Sequence, residues 1–336
     1  MTLPPPARAR GRLLALLLLV VSPVCAEYLQ AYDPASTGDA AALLGGLLVL
    51  APLYGAPALL IRETAVRARL HWTGILALAG AFGVLQAGVI DQSLFATSYL
   101  GYDDWDEQLR PTLVAPLGFG AASALNFLVG HVVWSFAAPI ALVEGLDVLG
   151  PRRPWLRAPG LVAAAVLYAA AALLIWSDVR GSGSDQASVP QLVGALAVAA
   201  ALVVVAVTFG RRTLPAPTGS RVPRPAAVLG MAFVAAAGYS LVPPTWLGVA
   251  VGVAILTLTA VVVTRWSRSQ DWDRRRVAAV AGGAVVVRAL VGFASVSEMT
   301  PRPPGGFAQN AVLLALAVAL VLAALRGGRV SGPARG

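Results

Sequence analysis

Long apolar stretches, separated by short polar connections, repeat along the whole chain. They fall at residues 13–30, 41–61, 72–95, 112–146, 160–177, 190–209, 226–242, 245–264, 277–297 and 307–325. A helix needs about 20 apolar residues to cross the hydrocarbon core of a bilayer, and most of the stretches reach that length. The pattern therefore predicts an all-α protein, a polytopic bundle of about ten transmembrane helices.

Arginine residues are concentrated in every second connection of this predicted bundle and at both termini. The arginine-rich segments hold Arg8, Arg10 and Arg12; Arg62, Arg67 and Arg69; Arg152, Arg153 and Arg157; Arg211, Arg212, Arg221 and Arg224; Arg265, Arg268, Arg274, Arg275 and Arg276; and Arg326, Arg329 and Arg335. Because arginine-rich loops stay in the cytoplasm, both termini are predicted to be cytoplasmic. We expect a basic segment 1–12, four helices within 13–146, six within 147–325, and a tail 326–336.

Two stretches bear on the number of helices. Residues 112–146 are too long for one upright crossing, but splitting them would reverse the arginine pattern of every later connection. We therefore predict one long, tilted or kinked helix, with Pro139 as the kink. The sequence VPPT at 242–245 predicts a tight outer turn, because its prolines end one helix and start the next.

The N-terminus allows two interpretations. The sequence ARARGR, followed by LLALLLLVV and then VCA, has the charged, apolar and small-residue parts of a secretory signal. Residues 1–26 are then either cleaved, or kept as a first helix that gives an even number of spans. The residues before Cys25 do not form a lipobox, so no lipid attachment is predicted there.

Composition supports a membrane protein and excludes several enzyme classes. The 336 residues are 58% hydrophobic and 12% charged, with a mean hydropathy of +0.76. Few residues therefore remain for a soluble domain. One cysteine and two histidines exclude Cys-based and His-rich metal clusters. No nucleotide-binding loop, zinc-protease motif or nucleophile elbow occurs. We therefore predict neither a metal nor a cofactor.

The basic residues indicate the source of the protein and its partners. All 25 are arginine and none is lysine, as GC-rich coding produces, which indicates a high-GC bacterium and its cell (inner) membrane. The net charge of +9 is explained by the alternation of the arginines, so nucleic acid is not expected as a partner. The predicted partner is the lipid bilayer, with a small solute or a membrane protein as further candidates.

Few polar residues lie within the predicted helices. A charged group in a bilayer core costs roughly 2.5–3.5 kcal/mol on insertion scales, so each should face protein or water. The candidate polar cluster consists of Glu27, Gln86, Asp91, Asn126, His131, Ser135 and Arg288, and Asn310 is a further polar position. Most of these residues belong to the first four helices.

Spacing suggests contacts for several of these residues. Ala79, Gly83 and Ala87 recur every four residues and form a small-residue stripe, which Asp91 continues. Asp91 and Gln86 are therefore predicted to face another helix, either as a site or as a contact and cap at the helix end.

The next two predictions concern His131 and Arg288. His131 and Ser135 are i,i+4 partners, and the imidazole either relays protons or only bonds to a facing helix. Arg288 and Glu27 reach similar depths, which predicts an ion pair between them.

An acidic loop follows the third predicted helix. The sequence SYLGYDDWDEQLRP carries Asp103, Asp104, Asp106 and Glu107 among aromatic residues. Four acids can bind Ca²⁺ or gather a cationic substrate. The alternative is a solvated loop that its aromatic residues anchor at the interface.

Two resemblances follow from short sequences. SPVCAEYL, LAPLYGAPALLIRE, DQSLF and GHVVWSFAAPIALVE resemble uncharacterised polytopic membrane proteins of actinobacteria. FLVGH, from Phe127 to His131, is similar to the FxxxH motif of CPBP (CAAX-protease-like) intramembrane metalloproteases. That resemblance implies an inactive relative, because Gln86 and Ala87 stand where the family has two glutamates, Asp91 replaces its arginine, and no histidine follows His131.

Three functional hypotheses follow. The first is a non-enzymatic, transporter-like protein with the polar cluster around an internal cavity. The second is a membrane scaffold: a protease-like protein that has lost catalysis and binds or regulates membrane partners. The third, an active membrane hydrolase, needs metal ligands that the sequence does not supply.

Overall fold

The computed structural model describes residues 5–31, 38–102, 105–147, 152–212, 221–298 and 303–327. Ten long helices make up most of this part of the chain. They are α1 (Pro5–Pro23, continued by the π-helical turn Val24–Tyr28), α2 (Ala40–Leu50, the π-helical turn Ala51–Gly55 and Ala56–Arg67), α3 (Trp72–Leu85, continued by the π-helical turn Gln86–Ile90), α4 (Ala121–Val129, the π-helical segment Gly130–Ala137 and Ala138–Gly145), α5 (Ala158–Gly181), α6 (Val189–Phe209), α7 (Pro225–Ser240), α8 (Trp246–Ser267), α9 (Arg274–Glu298) and α10 (Gly306–Gly327).

The prediction of an all-α polytopic bundle is confirmed. Within the described residues, nine helices are long and apolar enough to cross a membrane, and α7 is apolar but only 16 residues long. At 1.5 Å per residue α7 rises about 24 Å, less than the hydrocarbon thickness of about 30 Å. The turn predicted at VPPT joins α7 to α8, where the Thr245 side chain accepts a hydrogen bond from the Gly248 N–H at 3.1 Å.

The prediction of one helix over 112–146 is wrong at its beginning, because α4 starts only at Ala121. The preceding residues form a short helix, Trp105–Leu109, a 3₁₀ turn, Arg110–Thr112, and an antiparallel pair of two-residue strands, β1 (Leu113–Val114) and β2 (Phe119–Gly120). Pro116 lacks the N–H that a helix needs, and Gly118 has a φ of +70°. These two residues turn the chain before α4 can form.

The first four helices are irregular, whereas the described parts of α5–α10 are α-helical. Each of α1–α4 contains π-helical backbone. Three of these segments have a proline beside or within them, namely Pro23, Pro52 and Pro139. Proline removes one backbone donor and so disturbs the regular hydrogen-bond ladder of a helix. Pro139 lies two residues after the π-helical segment of α4, so the irregularity of this helix lies beside the proline, as predicted.

Burial divides the molecule into two regions. Half or more of the residues in the apolar segments of α1–α4 and α9 are buried, against only 11–17% in α5, α6 and α8. We call the first group the core bundle and the second group the peripheral helices. Leu14, Leu18 and Ser22 of α1 lie inside the core bundle. Helix α1 is therefore an integral part of this packing.

The connections rich in arginine meet at one end of the bundle. The His71 N–H donates to the Gly210 carbonyl at 2.7 Å, which joins the α2–α3 turn to the end of α6. Arg275 donates to the Leu325 carbonyl at 2.7 Å, which joins α9 to α10. We call this the arginine-rich end and the opposite one the arginine-poor end. The location of the arginine-rich end in the cytoplasm stays a prediction.

Candidate functional site

Helix α4 lies at the centre of the candidate site, where His131 and Ser135 are partners. His131 Nδ1 and Ser135 Oγ are 3.3 Å apart, as expected for an i,i+4 pair. The imidazole stacks on Tyr54 of α2, with ring centroids 5.9 Å apart. The Ser22 hydroxyl of α1 donates to the Ser135 carbonyl at 2.5 Å. Three helices therefore meet around these two side chains.

The small-residue stripe of α3 packs against the same point. Ala79 and Ala87 are fully buried. A Cβ added to Gly83 would lie only 2.9 Å from the Cβ of His131, so the absence of a side chain there permits the close approach. As predicted, the stripe is a helix contact. Asp91 lies beyond the end of α3.

Asp91 and Gln86 bond to each other at the arginine-poor end of α3. Gln86 Nε2 donates to Asp91 Oδ2 at 3.2 Å, and Asp91 Oδ1 accepts from the Ser93 N–H at 2.9 Å. Gln92 has a φ of +57°, and its side-chain oxygen accepts from the Ala187 N–H at 2.7 Å. These bonds end the helix and attach it to the α5–α6 connection.

Arg288 of α9 lies between α1 and α4. Its Nη2 donates to the Ala26 carbonyl at 3.3 Å, and its guanidinium carbon is 4.8 Å from the ring centroid of Trp134. Trp134 itself donates to the Ala284 carbonyl of α9 at 3.0 Å. Glu27 follows Ala26 directly and is buried. Arg288 of α9 therefore lies next to the turn of α1 that carries Glu27, and the ion pair between them stays a prediction.

Asn126 lies in a cleft at the arginine-poor end. Its Oδ1 accepts from the Tyr239 hydroxyl of α7 at 3.2 Å. The cleft has a volume of about 330 Å³ and is lined by Gln108, Ala122, Ser123, Leu125, Asn126, Phe127, Tyr239, Val242, Pro243, Pro244, Gly248 and Val249. The Tyr239 and Trp134 rings are 6.5 Å apart. Two aromatic rings therefore separate the cleft from Arg288.

Asn310 of α10 is a buried amide beside this centre. It is 2% exposed, and in the described part of the chain neither its Oδ1 nor its Nδ2 has a hydrogen-bond partner. Its Nδ2 lies 3.2 Å from the position of a Cβ built on Gly292, one turn along α9 from Arg288. An unsatisfied buried polar group costs about 1–3 kcal/mol. This amide can donate to and accept from a small polar molecule.

The acidic loop is only partly described. Asp103 and Asp104 lie outside the described residues. Asp106, in the short helix, forms an ion pair with Arg110, the first residue after that helix. Trp105 packs against Tyr99, with ring centroids 4.5 Å apart. Burial raises the pKa of the Tyr99 hydroxyl, with Asp91 as the next contribution. These contacts favour the interpretation as a loop that aromatic residues anchor.

A buried ionic network at the arginine-rich end was not predicted. Arg62 Nη1 and Glu63 Oε1 are 2.5 Å apart, Arg62 Nε and Glu144 Oε1 are 3.1 Å apart, and all three residues are buried. The Arg62 guanidinium stacks 3.5 Å from the ring centroid of Trp155. Arg152 also bonds to Glu144 at 2.9 Å. The available signal was Glu144, a carboxylate inside the predicted span 112–146 that the polar cluster omitted.

The network continues through Asp147, which joins three elements. Arg153 Nη2 bonds to its carboxylate at 2.9 Å, and Trp155 Nε1 donates to it at 3.2 Å. Arg274 of α9 donates to the Asp147 carbonyl at 3.0 Å, and Arg10 of α1 donates to the neighbouring Leu146 carbonyl at 2.7 Å. These bonds hold the ends of α1, α4 and α9 together.

Comparison with known proteins gives one match. Residues 16–332 match a family described as an "Uncharacterized membrane protein family". The chain belongs to this family. The match extends from α1 past the end of α10, so the core bundle and the peripheral helices both belong to the family's common part. No curated protein and no solved structure matches the chain.

Proposed function

We propose that the protein is a non-enzymatic, transporter-like membrane protein that binds a small solute between α1, α4 and α9. The observation that carries the proposal is the line of contacts from the cleft into the bundle. It runs from Asn126 to Tyr239 at 3.2 Å, from the Tyr239 ring to Trp134 at 6.5 Å, and from Trp134 to Arg288 at 4.8 Å. A polar cleft is thus connected, through two packed aromatic rings, to a cation within the apolar bundle.

The side chains along this line indicate the kind of solute. The cleft offers amide and hydroxyl groups among apolar and aromatic surfaces, as small-molecule sites do. Arg288 favours a solute with a negative or electron-rich group. Asn310 adds a buried amide with free hydrogen-bonding capacity. These groups suit a small polar solute that carries both an anionic group and an apolar part.

Helix irregularity is a second support. The π-helical segments Val24–Tyr28 of α1 and Gly130–Ala137 of α4 both flank Arg288, through Ala26 and Trp134. Such segments are frequent at functional sites, and they let a helix shift locally without losing the rest of its backbone bonds. We infer that α1 and α4 adjust around the solute.

The other predictions about function and location are part of the proposal. The cell (inner) membrane of a high-GC bacterium, an actinobacterium by resemblance, is the proposed location. The alternative is a catalytically inactive relative of the CPBP-like intramembrane metalloproteases, with Phe127–His131 in favour of the kinship and Gln86 and Ala87 in place of the family's glutamates. In the described part of the chain no three His, Cys, Asp or Glu residues lie close enough to share a metal ion.

Cysteine labelling tests whether water reaches the proposed site. Cys25→Ala removes the single native thiol, and Asn126→Cys, Asn310→Cys and Leu258→Cys are then made one at a time. A charged, water-soluble methanethiosulfonate reagent is added to the full-length protein in vesicles. We expect fast labelling at position 126, slower labelling at 310, and almost none at 258, which is exposed on the apolar helix α8 and is predicted to face lipid.

The control and the contrary result follow from the same series. Labelling after denaturation measures the number of thiols in each variant, so an unreactive position is not confused with a missing protein. If position 126 reacts but position 310 does not, the cleft is only a surface depression. The transporter-like proposal then fails, and the membrane scaffold is the better hypothesis.

A further inference from the structure

A cationic cavity lies at the arginine-rich end, away from the proposed solute site. Its volume is about 440 Å³, and it is lined by Arg67, Ala68, Arg69, His71 and Arg211. None of these lining residues carries a carboxylate. The cavity lies between the α2–α3 turn and the residues that follow α6.

Backbone contacts fix the two walls of the cavity. The His71 N–H donates to the Gly210 carbonyl at 2.7 Å, and Arg211 Nε donates to the Ala68 carbonyl at 3.1 Å. A Cβ on Gly210 would lie 2.7 Å from the Cα of Gly74, so the two segments are in close contact. Arg69 has a φ of +55°, which is uncommon for a residue with a side chain.

The charges in the cavity are not balanced. Arg67 pairs with Glu63, and its Nη2 donates to the Leu156 carbonyl at 2.6 Å. In the described part of the chain, Arg69 and Arg211 have no carboxylate partner. The sequence from 212 to 220, which follows Arg211, contains no acidic residue. Two positive charges therefore remain at one opening.

We propose that this cavity binds a phosphate group. Guanidinium groups bind phosphate oxygens through paired hydrogen bonds, and a second arginine strengthens the attraction. The phosphate belongs either to the headgroup of an anionic lipid or to a soluble phosphate compound. The end of α6 is exposed at Phe209, so lipid chains can pack beside the cavity while the headgroup contacts the arginines.

Paired double substitutions separate this site from general positive charge. Arg69→Gln with Arg211→Gln removes the two unbalanced cations. Arg265→Gln with Arg268→Gln removes the same charge from exposed positions at the end of α8 that do not line the cavity. Binding of phosphatidylglycerol to the detergent-purified full chain is counted by native mass spectrometry, with phosphatidylcholine as the neutral lipid.

We expect the cavity pair to weaken phosphatidylglycerol binding by about tenfold and the α8 pair to change it by less than about twofold. A separate arm adds inorganic phosphate without lipid and follows the thermal unfolding midpoint. Stabilisation by phosphate indicates a soluble ligand, whereas an effect of the lipid alone indicates a headgroup. The proposal is overturned if neither binds, or if both pairs of substitutions weaken binding equally. An unchanged elution volume on size exclusion confirms that the variants are folded.

Discussion

The core bundle buries charged side chains, whereas the peripheral helices expose large apolar ones. In the core bundle Arg62 and Glu63 are almost fully buried, whereas Val162 and Leu173 of α5 and Leu258 of α8 are more than 60% exposed. In water this distribution would be unfavourable, because exposed apolar surface is costly and buried charges must be paired. Around a bilayer-spanning bundle the surrounding solvent is lipid, so the apolar side chains belong outside.

Alanine forms the contacts of the peripheral helices. Ala195 and Ala199 of α6, one turn apart, are buried, as are Ala164 and Ala171 of α5. Lipid is as apolar as leucine, so large side chains gain little by leaving it, and small residues allow close backbone packing. Buried ion pairs and hydrogen bonds add to apolar packing in the core bundle, whereas close contact of small residues attaches the peripheral helices.

Arg62→Ala is the strongest test of this difference. The substitution leaves Glu63 and Glu144 buried without the cation between them. Removing one partner of a buried ion pair costs about 3–5 kcal/mol. We therefore expect the largest fall in the thermal unfolding midpoint of the purified protein, or loss of folded protein on expression.

Arg265→Ala is the matched control, because this arginine is exposed at the end of α8. We expect it to change stability by less than about 0.5 kcal/mol. Equal effects of the two substitutions would mean that the network contributes no more than a surface charge. In that case the distinction between the two regions would rest on packing alone.

The sequence predicted the helices better than it predicted the network. Apolar length and arginine alternation are local signals, so they located the bundle and its two ends. Arg62 and Glu144 are 82 positions apart, and the same alternation that identified Arg62 as a loop residue concealed its pairing. The start of α4 was missed because length favoured a helix over 112–146, while Pro116 and Gly118 prevented one. Among the candidate site residues, spacing identified the His131–Ser135 contact, which is local.

Two glycine substitutions compare packing in the two regions directly. Gly83→Ala in α3 places a Cβ 2.9 Å from that of His131, whereas Gly194→Ala in α6 meets no atom within 4 Å. Overpacking costs about 1–3 kcal/mol, and alanine is favoured over glycine in a helix by about 0.5–1 kcal/mol. We expect Gly83→Ala to lower the unfolding midpoint and Gly194→Ala to leave it unchanged or raise it.

His131→Gly in the Gly83→Ala background identifies the cause, because it removes the Cβ that the new side chain meets. Gly83→Ala should lower the unfolding midpoint less in the His131→Gly background than in the wild type. If Gly83→Ala is as harmless as Gly194→Ala, the contact between α3 and α4 is looser than the structure indicates. The core bundle would then resemble the peripheral helices in its packing.

The smallest expected effect concerns Asp185, a polar link between the two regions. It lies in the α5–α6 connection, and its carboxylate accepts from the Thr97 hydroxyl, from the Thr97 N–H at 3.1 Å and from the Ser98 N–H at 2.9 Å. The pKa of this carboxyl is lowered mainly by the hydrogen bond from the Thr97 side chain. The hydrogen bonds from the backbone N–H groups of Ser98 and Thr97 lower the pKa further.

Asp185→Asn should therefore reduce stability in a pH-dependent way. Because the folded protein holds this pKa below its unfolded value, the bonds add stability above about pH 4. That stability is lost as the pH falls through the folded pKa. We expect wild type to have a slightly higher unfolding midpoint than the variant at neutral pH, and the difference to disappear in acid. Asp178→Asn, at an exposed position of α5, is the control. A difference that persists in acid would show that the link depends on shape and not on the charge of Asp185.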